Sequence, residues 1–343
     1  YLGYTDTLCD DWGTQQYTNG YKKEQDGDYA GSIAYLDGTQ LSYSQNTVVN
    51  SIDDSGDTVG NTNNGATNRM LAFVDVEQDE FKPADTSDFE ESHAWAKKNL
   101  NGTDYVVGSI TRDNAGTSIE RTSKATVWKD IGGGSFDEVE ISWSSAAARD
   151  RYMPQGSARD IMYDAGTTTY YAVGYNSDSN ERLRAAVFES SDGTTWTSSF
   201  VDDFPYEESE YANQTLQAVN DNGIAIGTAK LNQALNGAYA NTLFYVNSLS
   251  SPTYKAFSGS IFFSGANGKA GNINNHNDVV GAIDFESHKE TNGKPRAKRA
   301  FIANLGTTSD SAPIGGVARY LDDLTYGSGA STNNNQYRII EAA

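Results

Sequence analysis

VNDNGIAIG at residues 219–227, with NTLFYVN at 241–247, describes a strand that ends, a polar turn, an apolar strand, and a partner strand after a loop. Asn and Asp bond locally to their own backbone and Gly takes left-handed dihedrals, so Asn-Asp-Asn-Gly reads as a tight turn. The apolar run Ile224-Ala225-Ile226 then stops at Gly227. With no Cβ, a glycine at that point permits a close backbone approach or a bulge where strands crowd.

Four further stretches repeat the unit: SIDDSGDTVG (51–60), LNGTDYVVG (100–108), MYDAGTTTYYAVG (162–174) and INNHNDVVG (273–281). Their partner strands are LAFVDV (71–76), KATVWKD (124–130), RAAVFES (184–190) and RAFIANL (299–305), where a small residue such as Ala72, Ala125, Ala186 or Ala300 enters a bulky run. The closing glycines Gly60, Gly108, Gly174, Gly227 and Gly281 recur every roughly 50 to 65 residues, the length of a propeller blade. A small antiparallel sheet cannot bury both faces alone, and stacking such sheets around an axis solves that problem. The expected fold is therefore all-β: one β-propeller over residues 1–343, with about five to seven blades.

Composition agrees. Hydrophobic residues make up 37% of 343, yet 21 Tyr, 13 Phe and 5 Trp provide bulk for many short, half-buried strands. The formal charge of −21 repels nucleic-acid phosphates and anionic lipid, which disfavours both partners. No stretch is long and apolar enough for a transmembrane helix. Cys9 is the single cysteine, so no disulfide can form within the sequence as given.

Other segments carry weaker signals. Residues 1–47 hold no clean copy of the repeat and read as a divergent blade or an extension. Residues 77–100 read as an acidic insertion, and SDFEESHAWAKKNL (87–100) is its helix candidate, with early acids and late lysines in the sense a helix dipole favours. Residues 320–343 read as the start of a further repeat, in a chain that is either an incomplete copy or closes its ring with the N-terminus. SSDGTTW at 190–196 looks like an Asp-box one residue short of the full pattern, in which Asp192 caps the turn and Trp196 packs the hairpin onto its sheet.

The alternation of Ile-Asn-x-x-Gly-type turns with Ala-Phe-Val/Ile, clearest at 273–281 with 299–302, resembles the bacterial extracellular HAF-repeat proteins. It resembles especially the related family numbered 3466 among domains of unknown function. The resemblance implies an exported, surface-associated or extracellular β-propeller, and it brings no catalytic residue with it.

Chemical motifs are sparse. His93, His276 and His288 lack metal-ligand spacing, and no nucleophile elbow, P-loop or dinucleotide fingerprint occurs. Asp53, Asp54 and Asp57 gather hard oxygens in one turn and are the calcium candidates, although turn chemistry alone explains the same residues. Acid pairs such as Asp202-Asp203, Glu207-Glu208 and Asp322-Asp323 invite a search for two facing carboxylates, as glycoside hydrolysis needs. The arginines, Arg121 and Arg159 among them, are scattered along the chain. Two functions follow as expectations: a non-enzymatic exported surface or extracellular protein with a structural, adhesive or assembly role, which self-assembles or binds another surface protein, or a carbohydrate-binding or glycoside-hydrolysing propeller.

Overall fold

The structure is a computed structural model that describes residues 6–26, 35–36, 39–40, 48–62, 71–75, 79–81, 88–113, 121–144, 153–290, 293–305, 318–326 and 342. Five four-stranded antiparallel sheets form the blades of a β-propeller, and in each the strands pair in sequence order. Blade I comprises Val48–Ile52, Thr58–Thr62, Leu71–Val74 and Asp79–Phe81. Blade II comprises Phe89–Leu100, Thr103–Asp113, Arg121–Gly132 and Ser135–Glu140. Blade III holds Ser157–Asp164, Thr169–Ser177, Leu183–Ser190 and Thr197–Phe200. Blade IV holds Tyr211–Val219, Ala225–Leu231, Asn241–Val246 and Lys255–Ala256, and blade V holds Gly268–Ile273, Asp278–Asp284, Lys298–Asn304 and Arg319–Tyr320.

First strands pack against one another from blade to blade and line the axis. Four apolar clusters fill the spaces between neighbours: I with II around Trp128, II with III around Phe188, III with IV around Phe244, and IV with V around Phe301. The alanines that enter the third strands, Ala72, Ala125, Ala186 and Ala300, are fully buried, as stacked sheets require.

The closing glycines share one cause. Each is the register partner of a first-strand residue beside a bulge: Val49 with Gly60, Ala94 with Gly108, Ala158 with Gly174, Leu216 with Gly227, and Ala270 with Gly281. A Cβ on any of these glycines would sit far inside contact distance of a first-strand carbonyl oxygen. The unpaired extra residue of each bulge is Asn50, Trp95, Arg159, Gln217 or Gly271 in blades I to V. One bulge residue per blade therefore stands at the same level of the axis.

One expectation is corrected. The helix expected over 87–100 is the first strand of blade II, Phe89–Leu100, so the second half of the supposed insertion is an inner blade strand. Ser92, Ala94 and Ala96 alternate as its buried residues, and packing between two blades overrides the helix-like order of its charges. Arg319–Tyr320 is the fourth strand of blade V, and Leu321–Tyr326 follows as a short helix. Of the proposed run-up at 337–343, only Ala342 is among the described residues. In the N-terminal region, helices span Asp6–Gln15 and Lys22–Gln25, and Tyr35–Leu36 pairs with Thr39–Gln40. Among the described residues no helix is long and apolar enough to cross a membrane.

Candidate functional site: a cleft between blades II and III

The end of the propeller that carries the repeat turns is tied together. Asp53 Oδ1 accepts from the backbone N–H of Ser55 and Asp57, Asn220 Oδ1 from Asn222 and Ile224, and Asn274 Oδ1 from His276 and Asp278. Asn220 Nδ2 also donates across the blade boundary to Asn274 O at 2.9 Å and Asn277 Oδ1 at 2.7 Å. Lys98 Nζ reaches Asp160 Oδ1 at 2.8 Å, and Asp160 Oδ2 accepts from Val219 N, which links blades II, III and IV.

The acids that the sequence offers to calcium belong to this girdle. Lys97 Nζ, from the first strand of blade II, lies 2.7 Å from Asp53 Oδ2, 2.5 Å from Asp57 Oδ2 and 3.1 Å from Asp104 Oδ2. Its side chain is 5% exposed. Burial works against this ammonium, and the three carboxylates overcome that and hold its pKa well above the usual lysine value. An ammonium thus sits where a cation bound by Asp53 and Asp57 would sit. Among the described residues, no cluster of three or more His, Cys, Asp or Glu side chains could hold a metal ion.

The shortened Asp-box is likewise a turn. Asp192 Oδ1 accepts from the N–H of Thr194 and Thr195, which lowers its pKa, and Gly193 N donates to Ser190 Oγ. Trp196 packs on the core between blades II and III.

At the opposite end of blade II the side chains are arranged differently. A cleft of about 360 Å³ opens there between blades II and III. Glu91, His93 and Trp95 enter it from the first strand of blade II, and Arg121 from the third. Arg159 and Tyr175 face them from the first two strands of blade III. The alternation of the strand places Glu91, His93 and Trp95 on one face, opposite the buried Ser92, Ala94 and Ala96.

One side of the cleft is wired. Asn50 Nδ2 donates to Asn61 Oδ1 at 3.0 Å, which aims Asn61 Nδ2 at His93 Nδ1, 2.7 Å away. His93 Nδ1 must then accept, so the ring proton resides on Nε2 and points at Glu91 Oε2, 3.3 Å away. Glu91 also pairs with Arg121. The hydrogen bond from His93, and then the charge of Arg121, outweigh burial and hold the Glu91 pKa below the ordinary carboxylate value.

The other side is open. The Arg159 guanidinium lies over the Trp95 ring, 3.8 Å from its centroid, and 5.5 Å from that of Tyr175. Burial pushes its pKa down, partly offset by Tyr175, yet an arginine stays charged. Among the described residues no carboxylate pairs with it, and its Nε is buried with no hydrogen-bond partner. Trp95 Nε1 and Gln217 Oε1 are in the same state, so bulge residues of three successive blades carry orphaned polar atoms.

The acid pairs do not face one another across this cleft. Asp202 and Glu208 converge on Arg184, and Asp322 on Arg299. Glu138, a carboxyl that burial pushes up in pKa, lies on the outermost strand of blade II against Trp128 Nε1. A second cavity of about 310 Å³, beside blades IV and V, is lined mostly by apolar and aromatic side chains such as Tyr254, Phe257 and Phe262. It lacks the convergent polar groups that orient a ligand.

The structure brings together Arg121 and Arg159, which are distant in sequence, and joins His93 to them. Sequence reading missed Trp95 and the other bulge residues. Their signal is a fixed offset: Asn50, Gln217 and Gly271 each stand ten positions before the closing glycine of a copy with the tight turn.

Among known proteins, the sequence model of a family described as "Protein of unknown function (DUF3466)" matches residues 164–343. No curated protein matches. Solved structures to which this chain is similar include sucrose-6-phosphate hydrolase from Lactobacillus gasseri, at 12% identity and TM-score 0.42, covering 89% of this chain and 66% of that one. The catalytic domain of the Coprinopsis cinerea GH62 α-L-arabinofuranosidase is similar at 14% identity and TM-score 0.34, with 71% of each chain covered. A glycosyl hydrolase from Bacteroides ovatus gives 11% and 0.35, covering 63% of this chain and 66% of its own. Likeness at this level carries none of their activities to the present cleft.

Proposed function

We propose, for a chain that belongs to the DUF3466 family of proteins of unknown function, a role in recognition outside the bacterial cell: a non-catalytic propeller that holds a saccharide in the cleft between blades II and III. The observation that carries this reading is the composition of the cleft. An aromatic ring, a fixed ionised acceptor in Glu91 and a cluster of donors converge on a cavity of about 360 Å³, the set of groups that orients a hydroxyl-rich ligand. Hydrolysis would need a second carboxylate facing the first, with one of the two raised in pKa. Glu91 is instead held down, and no second described carboxylate lines the cleft. Export and display at the cell surface follow from the resemblance to extracellular repeat proteins, and an acidic, soluble surface suits both.

A glycan array probed with the purified chain, paired with release assays on every glycan bound, tests the reading. Binding without turnover is the expected result. Specific turnover that is lost in Glu91→Gln would replace recognition with hydrolysis, and failure to bind any glycan would remove the saccharide.

A further inference from the structure

We propose that the saccharide is anionic, and that the cleft takes its carboxylate, sulfate or phosphate group on the guanidinium of Arg159. The inference rests on the cleft being the binding site, and it adds the charge of what is bound. In a chain with 46 acidic and 25 basic residues, a cation has many carboxylates available. The described buried or half-buried cations near the axis use them: Lys97 takes Asp53, Asp57 and Asp104, and Lys98 takes Asp160. At the cleft, Arg121 takes Glu90 and Glu91. Arg159 has none of these among the described residues.

A largely desolvated charge without a counter-ion is costly, and a ligand of opposite charge would relieve that cost. The guanidinium lies 3.8 Å from the Trp95 ring centroid, beside Tyr175, and lines the cleft, and a guanidinium carries the planar set of donors that suits an oxyanion. The Nε of Arg159 and Nε1 of Trp95 are themselves buried and unpartnered, so an oxyanion would meet the guanidinium through its remaining N–H groups in the cleft. Glu91 shares the cleft, but Arg121 and His93 already engage it, which reduces its repulsion of an incoming anion.

Calorimetric titration with matched oligosaccharides tests this: a neutral hexose oligomer, its uronate counterpart, and sulfated and phosphorylated versions. The expected result is that at least one charged oligomer binds and the neutral one binds at least about thirtyfold more weakly. Arg159→Met should erase the difference, while Arg159→Lys, which keeps the charge without the planar fork, should lose about tenfold. The arm that binds best identifies the anion. If the neutral and charged oligomers bind alike and Arg159→Met changes neither, the anionic inference fails while the saccharide reading survives. If none of them binds the wild-type protein, both fail. Circular dichroism of each variant separates loss of binding from loss of fold.

Discussion

The two ends of blade II are built from similar residue types and treat them in opposite ways. At the turn end, Lys97 is buried and fully engaged by three carboxylates, and Lys98 continues the network into blade III. At the cleft end, Arg159 is stacked and charged but unopposed by any described carboxylate. A buried cation satisfied three times over and a half-buried one left without a carboxylate mark two different uses of charge; on the proposed reading, the first serves stability and the second recognition. The turn end holds the blades together, and the cleft end keeps polar atoms in reserve.

Removing the central cation of the turn end has the largest expected effect. Lys97→Met leaves the buried Asp53 carboxylate unpaired and should cost about 3–5 kcal/mol in a urea titration. The pH dependence has a definite sign. The Lys97 network lowers the Asp53 pKa below its ordinary 3.8 despite burial, so its contribution is complete above about pH 4 and is lost as pH falls through the depressed value. Lys97 is raised above its ordinary 10.5, so its share is complete below that pH and is lost only in strong alkali. The gap between wild type and Lys97→Met should therefore narrow in acid. A gap that widens below pH 4 would contradict the pairing.

Gly174→Ala sharpens the comparison from the backbone side. Its Cβ would overlap the Ser157 carbonyl oxygen, and because that atom is backbone, no rotamer relieves it. A loss of about 3 kcal/mol is expected, whereas Gly132→Ala, in an open turn with nothing near its Cβ, should lose far less despite its φ of +90°. Asn220→Ala removes the bonds to blade V together with its own turn bonds and should cost about 2 kcal/mol. The smallest effect concerns calcium: with Lys97 in place, neither calcium nor a chelator should shift the melting temperature. A calcium-dependent rise in wild type would return Asp53, Asp54 and Asp57 to the role of metal ligands.

The turn end was legible in the sequence because turn chemistry is local. Asn220 and Asp53 bond to their own neighbours, and Gly60, Gly108, Gly174, Gly227 and Gly281 mark the points where first-strand bulges press on the second strand. The cleft was not legible, because it depends on register. Trp95 and Arg159 stand 64 residues apart, and the packing of the first strand of blade III against that of blade II brings them into contact. The same cause misled the reading of 87–100. Glu90, Glu91, Lys97 and Lys98 are ordered as a helix dipole favours, yet each answers to a partner on another strand or turn: Arg121, Asp53 or Asp160.

The most direct test compares thermal unfolding of Lys97→Met and Arg159→Met with that of wild type, in the absence of ligand. Arg159→Met exchanges a cation–π contact for relief from burying an unopposed charge, so it should stay within about 1 kcal/mol of wild type. Lys97→Met should melt several degrees lower. Equal, large losses in both variants would show that Arg159 is as structural as Lys97, and would contradict the division between the two ends.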